Sequence, residues 1–218
     1  MKPDEANLTD PQEIRKLLFL SVASQALADA NISITKSVPN PTGVFIGAAY
    51  NTHKDAPGTP SPADSFQARH RTLLGLPIST FTAYKLNLTG PNATLNTACS
   101  SSLVALQQAL SALRAKTCTA ALVGGVTVHC PKLGGYVTAP GQVFSPSGYY
   151  RPLDAAADGS VPADTVAAVV IKTLSAARRE NEAVYAIIEG CAIGSDGSVD
   201  KVGFTVPSGA ILRQRAGC

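Results

Sequence analysis

Between Thr94 and Leu106 the chain reads Thr-Leu-Asn-Thr-Ala-Cys-Ser-Ser-Ser-Leu-Val-Ala-Leu. A short β-prone run ends in a lone cysteine, Cys99, and an amphipathic helix starts at once behind it. The joint places a thiol at the amino end of a helix. There, unpaired N–H groups and the positive end of the dipole favour the thiolate, the reactive form of Cys. Cys99 is the candidate catalytic nucleophile, and the other segments read as its scaffold.

Asp10-Pro11-Gln12-Glu13 opens a helix with an N-cap, a proline at the first position and early acid. Ile14, Leu17, Leu18, Val22 and Leu27 then recur at helical spacing up to about Asn31. Thr42 to Tyr50 reads as a buried strand, and the Pro- and Gly-rich stretch from Asn51 to Asp64 as a surface loop. Leu76 to Leu86 predicts a helix, and Leu88-Thr89-Gly90-Pro91-Asn92 turns the chain into the strand that delivers Cys99. Behind Cys99, residues Leu103, Leu106, Leu110 and Leu113 make one apolar face, with Lys116 near the helix end. Thr119 to Val128 is a β run whose Gly124-Gly125 implies a bulge or a close backbone approach. Pro131 to Gly159 predicts little regular structure. Val166 to Ile171 is expected as a buried strand, Leu174 to Asn181 as a short helix, Val184 to Ile193 as a strand and Gly194 to Ser198 as a loop, with a helix start at Ala210 to Arg215. Alternating strands and helices without a composition break predict one α/β domain over residues 1–218, with no second domain.

Bulk chemistry removes several function classes. Eighteen basic residues against 15 acidic ones give +3, too weak a balance for nucleic acid, and no basic stripe carries interleaved aromatics. The five cysteines (99, 118, 130, 191 and 218) show no C-x-x-C and no histidine at ligand spacing, which argues against zinc. Their odd number in a chain of 218 residues argues against a secreted disulfide framework and for a reducing, cytoplasmic setting. The polar amino end lacks an apolar signal region, and the longest apolar run, Val166 to Ile171, is too short to span a bilayer. The expectation is a soluble protein that meets no membrane. His53 lies in the Pro-rich loop, where a solvated loop residue is the plainer reading.

Several segments, in order, resemble one family. Thr97-Ala98-Cys99-Ser100-Ser101-Ser102-Leu103-Val104-Ala105 is similar to the nucleophile motif of β-ketoacyl synthases, in particular the ketosynthase domains of polyketide synthases. Supporting matches are Asp10-Pro11-Gln12, Thr42 to Gly47, Tyr84 to Pro91, Gly124-Gly125-Val126, Ser145 to Gly148, Arg151 to Gly159 and Ser195-Asp196-Gly197. Lys201 to Ser208 resembles the form found in some hybrid polyketide and peptide synthetases.

The resemblance implies a thiolase-like α/β fold, in which two similar halves pack their sheets between helices. This chain would be largely the amino-terminal half, incomplete at both ends. It implies a homodimer through the strand before Cys99. It also implies an acyl chain delivered to Cys99 from the phosphopantetheine of an acyl carrier protein or peptidyl carrier domain, with no cofactor bound directly. Two histidines and a lysine of the family support malonyl decarboxylation before the Claisen condensation of chain elongation. His53, His70 and His129 match neither of those histidines, and His129 reads as structural. After Asp158-Gly159 the family carries alternating glycines where this chain has Ala163, Thr165 and Ala167, so a positive φ at Thr165 would be strained. A half fold would also leave apolar faces open, and the isolated chain is expected to be poorly soluble or to bind a complementary fragment.

Two other roles stay open on the sequence: a ketosynthase-like domain that uses Cys99 for cyclising release of a bound chain, and a non-catalytic remnant or interaction subunit of a synthase. Retention of Cys99 weighs against the second, and the unmatched histidines weigh for it.

Overall fold

The computed structural model describes residues 11–35, 38–48, 77–129, 134–198 and 201. The loop expected at 51–64, His53, His70, Cys130, Cys218 and the helix start expected at 210–215 lie outside them.

Four strands make one mixed sheet. These are β1 (Thr42–Ala48), β2 (Asn92–Leu95), β3 (Ala120–Thr127) and β4 (Thr165–Lys172), in spatial order β2-β1-β3-β4. The first three run parallel, and β4 pairs antiparallel with β3. The described residues form four helices, α1 (Pro11–Asp29), α2 (Ile78–Leu86), α3 (Ser101–Arg114) and α4 (Leu174–Arg179), of which α1, α2 and α3 pack on the sheet. Each ends on a left-handed residue, Asn31, Asn87, Lys116 or Asn181. Behind each, an amide reaches back to close the last turn: Ile32 to Leu27, Leu88 to Ala83, Thr117 to Ala112 and Glu182 to Ala177. Asparagine accepts this conformation at low cost, which explains three of the four positions.

The period-2 alternation of the strands sorts the core into two layers. Val44, Ile46, Leu122 and Val126 pack with Phe19, Ala23 and Leu27 of α1 and Ile78, Ala83 and Leu86 of α2. Phe45, Ala121 and Val123 face the other way, against Ala105, Ala109 and Leu113 of α3 and Cys118. Every residue of β1 is buried, as a central strand covered on both faces must be. The chain leaves β1 through α2 to reach β2 on one side. It then returns through α3, past β1, to β3 on the other. Opposite travel with right-handed crossovers puts α2 and α3 on opposite faces, and β1 marks the point of reversal.

Four expectations need correction. The strand at 166–171 exists but is not buried: β4 alternates between exposed and half-buried positions, with Val169 55% exposed, because among the described residues β3 is its sole partner in the sheet. Val184 to Ile193 forms no strand, and Val184, Tyr185, Ile187, Ile188 and Ile193 stay exposed. A strand needs an edge that takes its hydrogen bonds, and among the described residues this run meets none. Of the two readings of Gly124-Gly125, the close backbone approach holds, since β1 and β3 stay in register through Ile46↔Gly124 and Gly47↔Gly125 and Gly124 lies against the Ala167 carbonyl. The face of α3 is also different. Ser101, Ala105, Ala109 and Leu113 are buried, whereas Leu103 is 63% exposed. Small residues at i, i+4 and i+8 let this helix approach the sheet more closely than a leucine stripe would. Thr165 and Ala167 lie in β4, and neither they nor Ala163 has a positive φ, so the expected strain does not arise.

Candidate active site

Cys99 sits in a turn between β2 and α3, at the carboxyl ends of the parallel strands and next to the strand where the winding reverses. In open α/β sheets that position is where ligands bind. Cys99 is exposed, so its thiol is open to a molecule in solution. The helix itself begins two residues later, at Ser101. By contrast Cys118 is buried against Gly43, and burial pushes its thiol up, toward the inert neutral form. Cys191 is half-buried.

The turn is built from hydroxyls. Ala98 adopts a positive φ of 57°, a conformation that costs a residue with a β-carbon about 1–2 kcal/mol. Ser101 Oγ accepts from the Thr97 N–H at 2.9 Å and donates to the Ala98 carbonyl at 2.6 Å, bracketing the strained residue. Ser100 Oγ donates to the Thr97 carbonyl at 2.8 Å and lies 2.9 Å from Thr97 Oγ1. Asn96 Oδ1 accepts from the Ala98 N–H at 3.2 Å. The sequence shows why Cys99 is flanked by Thr97, Ser100 and Ser101: they satisfy a turn that must present its residue outward.

Beneath the turn lies a glycine. A β-carbon on Gly47 would come within 2.5 Å of the Ser102 nitrogen and 2.6 Å of the Ser101 carbonyl carbon, so β1 touches the backbone of the first turn of α3. Its register partner Gly125 has more room, the nearest atom being Ser102 Cβ at 3.4 Å. On the opposite face, a β-carbon on Gly124 would meet the Ala167 carbonyl oxygen at 2.4 Å and the Phe19 ring at 2.6 Å.

The connection from β3 to β4 leaves the sheet at the same end as Cys99. Its feet are tied where Asp164 Oδ1 accepts both the backbone N–H and the Nδ1 of His129, each at 2.8 Å. Further along, the buried Ser145 hydroxyl donates to Asp158 at 2.6 Å, and its N–H donates to the Ser160 carbonyl at 2.9 Å. The hydroxyls of Ser145 and Ser147 hold the Asp158 carboxyl below its usual range. Gly159, with φ 144°, is obligatory there, because a β-carbon would lie 2.5 Å from the Ser145 nitrogen. Ser145 to Gly148 and Arg151 to Gly159 are legible as separate motifs, but the link between them is not. A Ser–Asp pair separated by 13 residues carries no periodic signal. Among the described residues no cluster of His, Cys, Asp or Glu could hold a metal ion.

A mixed sheet with β4 reversed, wound about β1 and presenting a cysteine at the start of a close-packed helix, defines the thiolase-like class of fold. Comparison with known proteins gives the family. Residues 1–177 match the model described as "Beta-ketoacyl synthase, N-terminal domain", and the chain belongs to the β-ketoacyl synthase family. A hybrid PKS-NRPS synthetase, TAS1 of Cordyceps militaris, is 53% identical over 210 residues, covering 95% of this chain and 13% of that protein. Ketosynthase twelve of the bacillaene polyketide synthase of Bacillus amyloliquefaciens superposes with a TM-score of 0.80 at 31% identity, over 93% of this chain and 36% of that structure. The ketosynthase from module 6 of the bacillaene synthase of Bacillus subtilis, solved as a Cys-to-Ser mutant, superposes at 0.74 with 29% identity, over 99% of this chain and 35% of that structure. The chain thus spans about a third of the solved ketosynthases and about an eighth of the synthetase.

Proposed function

We propose that Cys99 accepts an acyl chain from the phosphopantetheine thioester of an acyl carrier protein or peptidyl carrier domain. This is the first half-reaction of a ketosynthase in polyketide chain elongation. The sulfur of Cys99 attacks the thioester carbonyl and its proton is released. The bond to the pantetheine sulfur breaks, and that sulfur leaves as a thiol after taking up a proton. Sulfur suits both roles because it is a strong nucleophile and a good leaving group. The backbone N–H of Cys99 is the donor we assign to the developing oxyanion. Decarboxylative condensation with a malonyl-type extender belongs to the same reading for the synthase of which such a domain is part.

The observation that carries the proposal is the exposure of Cys99 on a turn locked by Ser101 at the carboxyl edge of the sheet, while Cys118 is buried. A homodimer through β2 goes with it. This strand pairs with β1 on one side and stands at the end of the strand order. A cytoplasmic setting is proposed on the chemistry of the exposed free thiol, which oxidising compartments do not preserve. No described helix is long and apolar enough to cross a membrane.

The test is incubation with an acyl-pantetheine thioester followed by intact-mass measurement. An adduct of one acyl group is expected, and it should be lost in Cys99→Ala. An adduct that persists in that variant, or none with the unaltered chain, overturns the proposal.

A further inference from the structure

We propose that Gly47 is a positioning residue for acyl transfer at Cys99, acting through the backbone of α3, an inference that rests on the acyl-transfer reading above. Gly47 lies one residue from the carboxyl end of β1, on a strand that the nucleophile's own segment does not include. Its φ is not in the left-handed region, so the reason for glycine is space and not backbone freedom. The atoms a β-carbon would strike, at 2.5, 2.6 and 2.8 Å, are the Ser102 nitrogen, the Ser101 carbonyl carbon and the Ser102 α-carbon. All three are main chain and none can rotate away.

Restoring an ordinary contact of 3.4 Å or more requires the start of α3 to move by about 1 Å. That motion passes directly to the turn. Ser101 holds Thr97 and Ala98 through its hydroxyl, and Cys99 lies between them and the helix. Lifting the helix start therefore changes where the Cys99 N–H and sulfur point relative to one another. Acyl transfer needs both groups placed on one carbonyl, whereas alkylation of the thiol needs the sulfur alone. A glycine that only helps packing would not separate these two reactions.

The experiment compares Gly47→Ala with the unaltered chain and with Gly125→Ala, whose added carbon meets its neighbour at 3.4 Å. In each, rates are measured for acylation of Cys99 by an acyl-pantetheine thioester and for its alkylation by iodoacetamide, alongside a thermal melt. In Gly47→Ala the acylation rate should fall by about 10- to 100-fold, the range expected for a misplacement near 1 Å. Alkylation should stay within about twofold, and Gly125→Ala should leave both rates near their starting values. Acylation at the unaltered rate in a cooperatively melting Gly47→Ala overturns the inference, and so does a parallel fall of both rates. Should Gly47→Ala fail to melt cooperatively, Gly125→Val, whose β-carbon stands 3.4 Å from Ser102 Cβ, crowds the same helix start and must show the same split; acylation and alkylation both at their unaltered rates there, or falling together, overturn the inference too. A chain that is not acylated at all overturns the acyl-transfer reading itself, and the inference with it.

Discussion

Replacing Ser101 with alanine removes the one buried hydroxyl that spans the turn carrying Cys99. Ser101 is 7% exposed, and its Oγ makes two bonds, to the Thr97 N–H and the Ala98 carbonyl. The Ala98 carbonyl keeps a second donor, the Ser101 amide at 3.2 Å, so the group left without its partner is the Thr97 N–H. Thr97 is exposed and water can reach it, which puts the cost at the low end of the range for a lost bond, about 1–2 kcal/mol. For a chain of this length each kcal/mol lowers Tm by about 2–4 °C. The same loss frees Ala98 to leave its positive φ, so acylation of Cys99 should slow by up to about 5- to 30-fold, the rate equivalent of that energy. Ser100→Ala is the control. Its hydroxyl also bonds Thr97, but in solvent, and a change within about 0.5 kcal/mol is expected. Denaturant titration and acylation kinetics on both variants decide the matter. Ser101→Ala indistinguishable from Ser100→Ala in both measurements would refute a turn held by the buried hydroxyl.

Two further perturbations probe the scaffold. Lys172 is half-buried at the end of β4; burial alone would lower its pKa, but hydrogen bonds with Glu182 and Glu180 outweigh it and raise the value above 10.5. The stability Lys172 contributes is therefore present below that pH and lost as pH rises through its folded value. Glu180, held below 4.5 chiefly by the Lys172 hydrogen bond, contributes stability that is lost as pH falls through its own folded value. Lys172→Met should flatten the Tm profile at both ends, and an unchanged profile would show that these ion pairs do not hold β4 to α4. Gly124→Ala should cost about 1–3 kcal/mol by overpacking, since its β-carbon meets the β4 backbone and the Phe19 ring. An unshifted denaturation midpoint would contradict the close approach of β3, β4 and α1.

Much of this architecture was legible in the residues. The proline-capped start at Pro11, the apolar run from Thr42 and the strand-to-helix joint at Cys99 are local signals, and local physics decides them. The departures are all tertiary. The Val184 to Ile193 run has strand propensity, but propensity without an accepting edge does not make a strand. The leucine spacing put Leu103 on the buried face of α3, but Leu103 is exposed and Leu106 only half-buried, while the small residues Ala105 and Ala109 sit at the core. The role of Gly47 depends on a contact between residues more than fifty positions apart, and the Ser145–Asp158 bond, across 13 residues, follows no periodic pattern. The turn that carries Cys99, the proposed nucleophile, is legible because the strand end, the cysteine and the helix start are contiguous in the chain.

The central claim is that this turn presents one particular sulfur to a thioester. The direct measurement is peptide mapping by tandem mass spectrometry after brief exposure of the folded chain to an acyl-pantetheine thioester. The acyl group should be found on the peptide containing Cys99, with Cys118 modified only after denaturation. Early acylation of Cys118 or Cys191, or equal labelling of all the cysteines in the folded chain, would contradict it.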